Sequence, residues 1–141
     1  MRKTLSLLTI ISFIFVAASC NSQVQEEKKQ EQLANANKVE IYYFHYTRRC
    51  ATCNAVENET QEALKKLYPT QVESGDIVFI SINLEEETND ALAEKLMVSG
   101  QTLLVVKGDQ KADLTVDGFK YARSSPEKLY ASIKTAIDPM L

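Results

Sequence analysis

Apolar positions keep two different periods along the chain after residue 38. Val39-Glu40-Ile41-Tyr42-Tyr43-Phe44 gathers β-branched and aromatic side chains over strand length. It is apolar on both faces, which predicts a strand central in a sheet. Beyond it the spacing changes. Cys53, Val56, Thr60, Ala63, Leu64 and Leu67 recur three or four apart, the mark of one buried helix face. This predicts a helix from about Cys50 to Tyr68, ended by Pro69. Ile77 to Ile82 reads as a second strand. The acidic run Glu85-Glu86-Glu87 reads as a solvated loop, and Thr88-Asn89-Asp90 as a capping cluster for a second helix holding Ala91, Leu92, Lys95 and Leu96. Thr102 to Val106 is a third strand, and Lys107 to Gln110 a turn. Ala112, Leu114 and Val116 alternate with Asp113, Thr115 and Asp117, which predicts a half-exposed edge strand hairpinned to the third. Ser125-Pro126-Glu127 supplies an N-cap and a first-turn proline for a last helix with Leu129, Ile133 and Ile137 inside. The order is β-α-β-α-β-β-α, an α/β domain over residues 39–141 with a four-stranded mixed sheet flanked by helices.

The first 38 residues follow neither period. Arg2-Lys3, an apolar run from Leu5 to Val16 and the small residues Ala17-Ala18-Ser19 before Cys20 have the layout of an export signal. The run falls short of the ~20 residues a membrane helix needs. Its ending, Val-Ala-Ala-Ser-Cys, resembles a bacterial lipobox, which implies residues 1–19 as a lipoprotein signal peptide and Cys20 as the lipid-bearing first residue. Residues 20–38, rich in Gln, Glu, Lys and Asn, read as a flexible tether. The expected location is therefore the bacterial cell envelope, lipid-anchored and facing the periplasm. Loss of Arg2 and Lys3 takes the formal charge from −3 to −5. That mildly acidic balance, with no basic stripe, excludes a nucleic-acid binder.

The candidate chemistry lies in Arg48-Arg49-Cys50-Ala51-Thr52-Cys53, where a strand hands over to a helix. Unsatisfied N–H groups and the positive end of the helix dipole favour a thiolate there. Arg48 and Arg49 add positive charge beside Cys50. Both effects lower a thiol pKa and so activate it. Residues i and i+3 share a helix face, so Cys53 reaches Cys50. The pair reads as a redox dithiol, Cys50 attacking and Cys53 resolving. Two other readings compete: half of a metal site, and a structural disulfide. A structural zinc takes about four ligands, whereas the remaining candidates are Cys20 and the one histidine, His45. A two-residue loop closes little chain entropy, so a purely structural disulfide would stabilise little. The aromatics Tyr42, Tyr43, Phe44 and Tyr46 read as core rather than as a ligand box, and Thr47 or Arg48 as part of a rim for partner docking.

The element order, with CxxC opening the first helix, resembles the thioredoxin fold over residues 39–141. More narrowly, Tyr42-Tyr43-Phe44-His45-Tyr46-Thr47-Arg48-Arg49-Cys50-Ala51-Thr52-Cys53 is similar to the thioredoxin-like ArsF family, named as nitrophenyl compound nitroreductase subunits. The resemblance implies a thiol–disulfide oxidoreductase or electron-relay subunit whose partner is a protein dithiol, a disulfide or a redox subunit. No flavin or other cofactor is expected, since no Gly-rich phosphate loop is present. Two departures stand out. Working thioredoxins carry a cis-proline before the third strand, where this chain has Gly100-Gln101-Thr102-Leu103. A cis bond at a non-proline residue costs ~2.5–4 kcal/mol, so Gln101 is expected to be trans, with Gln101 and Thr102 forming a rebuilt docking loop. They also carry a buried acid beneath the dithiol, where Phe44 stands here. His45 beside it is a candidate proton carrier, the competing reading being a structural or surface residue that points away. The rival functions are a soft-metal or metalloid module using Cys50, Cys53 and His45, and a redox-inactive adaptor of the same fold.

Overall fold

The computed structural model describes residues 37–141. The signal segment, Cys20 and nearly all of the tether lie outside the described residues. Strand β1 (Val39–His45) leads through a short loop to α1 (Ala51–Leu67). Pro69 ends α1 and at once opens α2 (Pro69–Ser74), because a missing N–H is harmless in the first turn of a helix. Gly75 closes α2 in the left-handed conformation, at φ 78°. Strand β2 (Ile77–Asn83) is followed by a 3₁₀ turn (Glu87–Asn89) and α3 (Asp90–Lys95). Then come β3 (Thr102–Lys107), β4 (Gln110–Asp113), α4 (Thr115–Tyr121), α5 (Pro126–Ile137) and a 3₁₀ turn (Asp138–Met140).

The sheet order is β2-β1-β3-β4. β1 pairs parallel with β2 and antiparallel with β3, and β3 pairs antiparallel with β4. The sheet is therefore mixed, β1 is interior as its two apolar faces require, and the expected element order holds. Alternation along β1 divides its side chains. Val39, Ile41 and Tyr43 join Leu103 and Val105 of β3 under Val56, Ala63 and Leu64 of α1 and Leu129, Ile133 and Ile137 of α5. Tyr42 and Phe44 join Leu104 and Val106 on the opposite face, against Ala93 of α3 and Leu96 just beyond it.

Three expectations need correction. The alternation through Val116 is not a strand beyond Asp113. The Asp113 carboxylate accepts from the Thr115 N–H at 2.8 Å, and the Thr115 hydroxyl accepts from the Leu103 N–H at 3.0 Å. These bonds turn the chain into α4, on which Val116 is 76% exposed. Within α4, a Cβ on Gly118 would stand 3.3 Å from a Val56 methyl and 3.4 Å from Leu103, so the lack of a side chain lets α4 approach closely. Asn89 does not cap α3; its side chain donates to the Asn83 carbonyl at 2.9 Å. Ser125 precedes α5, but its hydroxyl makes no capping bond.

Candidate active site

Extended backbone at Cys50 (φ −87°, ψ 168°) makes it the N-cap of α1, and its sulfur accepts from the Cys53 N–H at 3.2 Å. A cysteine thus takes the place that Ser or Asp usually fills. Cys50 and Cys53 are joined as a disulfide, with Cα atoms 5.1 Å apart. No acidic residue lies in the first turn of α1 to oppose its dipole. The two sulfurs differ in access. Cys50 is exposed, while Cys53 is sealed at 3% exposure. An incoming nucleophile therefore meets Cys50, and Cys53 is the sulfur that leaves or returns.

From β1, the residue that reaches the dithiol turn is Tyr43. Fully buried, it donates its hydroxyl to the Cys53 carbonyl at 3.1 Å. Burial pushes the Tyr43 phenol up; Arg49 pulls it down and Glu57 pushes it up again, for a net rise. Phe44, expected beneath the dithiol, lies on the other face of the sheet, stacked with Tyr42 at 5.9 Å between ring centres. The alternation of the strand decides this, since Tyr43 shares its face with Val39 and Ile41. The same alternation puts the His45 ring 5.8 Å from that of Tyr43. His45 Nδ1 is 3.0 Å from the Tyr46 carbonyl. A carbonyl only accepts, so Nδ1 carries the hydrogen in that contact, and the other ring nitrogen of the neutral imidazole is an acceptor.

The two arginines are held differently. Arg48 is exposed. Arg49 lies with its guanidinium carbon 5.3 Å from the centre of the Tyr43 ring and pairs with Glu57 on α1. Both side chains of that pair are about four-fifths covered, at 19% and 20% exposure, and Arg49 Nε is buried without a partner. The pair together presents little net charge to the dithiol. Glu57 was not legible as a site residue, because its partner lies outside the helix, where no periodicity connects the two.

The loop before β3 completes the site. No peptide bond among the described residues is cis, so Gln101 is trans, and its carboxamide nitrogen lies 3.6 Å from Cys53 Sγ. Thr102 turns its hydroxyl back to the Gly100 carbonyl at 2.8 Å and stands opposite Phe44 in the sheet. Tyr46, 41% exposed, places its hydroxyl beside Gly100. The loop carrying Tyr46 to Arg49 is fastened at Thr47. Its N–H donates to the Glu85 carboxylate at 2.8 Å and its hydroxyl accepts from the Asn83 amide at 2.9 Å. Hydrogen bonding from Thr47, its side chain first and its backbone N–H second, holds the Glu85 carboxyl below its ordinary range. The acidic run is thus a solvated loop in which Glu85 anchors Thr47 and Glu86 accepts from Asn83 and Asn89. Among the described residues, no three His, Cys, Asp or Glu side chains group as a metal site, so Cys50, Cys53 and His45 are not assembled into one. Nor is any described helix long and apolar enough to cross a membrane.

No family model matches the chain, and no curated protein matches it. Solved structures do. The chain is similar to oxidised thioredoxin O2 of Arabidopsis thaliana at 21% identity and a TM-score of 0.50, over 78% of this chain and 87% of that one. Trxlp of Edwardsiella tarda aligns at 18% identity and a TM-score of 0.48, over 76% of this chain and 90% of that one. The germline-specific thioredoxin Deadhead of Drosophila melanogaster aligns at 20% identity and a TM-score of 0.46, over 84% and 98%. Identities this low speak to the fold, and the fold is thioredoxin-like. Within it the chain carries a closely spaced cysteine pair at the start of α1, consistent with a redox-active dithiol motif.

Proposed function

We propose that this protein is a membrane-anchored, extracytoplasmic thiol–disulfide oxidoreductase or electron-relay subunit acting through Cys50 and Cys53. One observation carries the reading: the unequal access of two bonded sulfurs at a helix N-terminus. In the reducing direction, the Cys50 thiolate attacks one sulfur of a partner disulfide. A Cys50–partner bond forms, and the other partner sulfur leaves as a thiolate. The Cys53 thiolate then attacks Cys50, the internal disulfide forms, and the first partner sulfur leaves with its electron pair. Two electrons have passed to the partner. Run backwards, the same steps oxidise a partner dithiol.

The anchor rests on the run Leu5 to Val16 and the lipobox-like approach to Cys20. The similarity to the ArsF segment favours a redox subunit as the partner. Reduction of insulin disulfides by the reduced protein tests the activity, and a Cys53→Ser variant tests the order of attack. The expected result is catalysed reduction by the wild type and a stable mixed disulfide on Cys50 in the variant. A folded, reduced protein that neither reduces insulin nor traps any disulfide refutes the proposal.

A further inference from the structure

We infer that Gln101 is a catalytic residue of this dithiol: its carboxamide N–H takes up the negative charge on Cys53 Sγ when the Cys50–Cys53 bond opens. The inference rests on the proposed exchange chemistry and adds the group that stabilises the buried sulfur during it.

Cys53 is 3% exposed, so water does not solvate a thiolate there, and an unsolvated charge needs a donor. Cys50 is bonded to the sulfur, Tyr43 reaches the Cys53 backbone from β1, and His45 and the Arg49–Glu57 pair lie against Tyr43. Among the described residues, none of Tyr43, His45, Arg49 and Glu57 hydrogen-bonds Cys53 Sγ. Tyr43 spends its hydroxyl on the Cys53 carbonyl, His45 meets the Tyr46 carbonyl, and Arg49 meets Glu57. Gln101 makes the contact, with its nitrogen at 3.6 Å and its oxygen at 3.9 Å. A disulfide sulfur carries no hydrogen, so in this oxidised state the amide N–H is the donor. The loop is held in place, since the Gly100 carbonyl accepts from Thr102 at the start of β3.

When a partner thiolate attacks Cys50, the internal S–S bond breaks and Cys53 departs with the electron pair. The amide contact then becomes a charge-assisted hydrogen bond, about twice as strong as a neutral one. If Cys53 is instead protonated, its S–H can donate to the carboxamide oxygen. An amide neither gives nor takes a proton, so Gln101 steadies charge where a carboxylic acid would move protons. The contact therefore favours the thiolate form of Cys53, the form that attacks the mixed disulfide.

The test uses the full chain carrying Cys20→Ser and Cys50→Ser, in which Cys53 is the single thiol. Thiolate ultraviolet absorbance is followed against pH with Gln101, Gln101→Leu and Gln101→Glu. Loss of one hydrogen bond to a charged group should raise the Cys53 midpoint by about one to two pH units in Gln101→Leu. Gln101→Glu should raise it as well, because a carboxylate repels the thiolate. A Leu variant whose midpoint matches that of Gln101 overturns the inference; a merely structural loop residue would leave the midpoint where it is. Should the variants fail to fold, the Gln101 side-chain amide protons of the reduced wild type provide the second measurement. They should move downfield as Cys53 ionises, and amide protons that ignore that ionisation overturn the inference. The insulin assay stays separate. Exchange with a midpoint indifferent to Gln101 removes only this role, whereas a Gln101-dependent midpoint without exchange removes only the redox function.

Discussion

Replacing Tyr43 by Phe removes one hydroxyl from beneath the dithiol and leaves the ring. Buried apolar area is nearly unchanged, so the effect reports the hydrogen bond to the Cys53 carbonyl at 3.1 Å. That carbonyl faces into α1, where the helical bond from four residues on satisfies it, and no buried donor is stranded. The net cost is then that of an ordinary hydrogen bond, about 1 kcal/mol, or about 5 °C in Tm for a domain of this size. The pH dependence is the sharper test. Burial raises the Tyr43 phenol above its ordinary value in the folded state. A raised folded pKa means that the stabilising contribution is fully present below the unfolded value of about 10 and is lost as pH climbs from there through the folded value. Over that window the advantage of wild type over Tyr43→Phe should shrink by up to about 1.4 kcal/mol per pH unit. Tyr42, Tyr68 and Tyr130 are raised as well, Tyr130 to about 12, but they are common to both proteins and cancel in the difference. Urea unfolding of the oxidised proteins from about pH 7 to about pH 11 measures it, with m expected to be unchanged. A difference that stays constant across that range would refute the account of a buried neutral phenol. No difference at any pH would remove the hydrogen bond.

In the Cys53→Ser protein, Arg49→Gln should raise the Cys50 thiol midpoint and Glu57→Gln lower it, each by about half a unit to one unit and less at high salt. The double variant should return close to the starting value; single changes of equal sign would exclude a field effect. Gly118→Val has no room against Val56 and Leu103 and should destabilise by about 2–3 kcal/mol, read as a lower urea midpoint. Cys20→Ala should release the protein from the membrane fraction. Wild-type protein found free, with an unmodified Cys20 thiol, would exclude the lipid anchor.

Elements whose burial follows one simple period were legible in the sequence. β1 is apolar on both faces because helical segments cover both sides of the sheet there, and α5 shows its inner face through Leu129, Ile133 and Ile137. The stretch from Asp113 to Tyr121 misled because alternation over a few residues does not distinguish a strand from a strand that has just ended. The Asp113-Leu114-Thr115 side-chain turn was the local signal that could have placed α4. That Cys50 and Cys53 pair was legible from their spacing at a strand-to-helix junction. Tyr43 was hidden by its own hydrophobicity: an aromatic at strand spacing is core, and only a folded structure shows where its hydroxyl ends. Glu57, Asn83 and Glu85 act through contacts between separate elements, which no one-dimensional pattern records.

The interior place of β1 also sets an order of assembly. Its partners begin at Ile77 on one side and at Thr102 on the other, so both are synthesised after the cysteines. A chain emerging N-terminus first has its dithiol before it has a sheet. The parallel partner arrives only after the crossover through α1, and such non-local pairing is slow. Cys50 and Cys53, three positions apart, need nothing but their own turn to close. Their bond pins no distant segments together, so oxidation does not template the topology. The strand pairing that builds the sheet is therefore independent of whether the two sulfurs are joined.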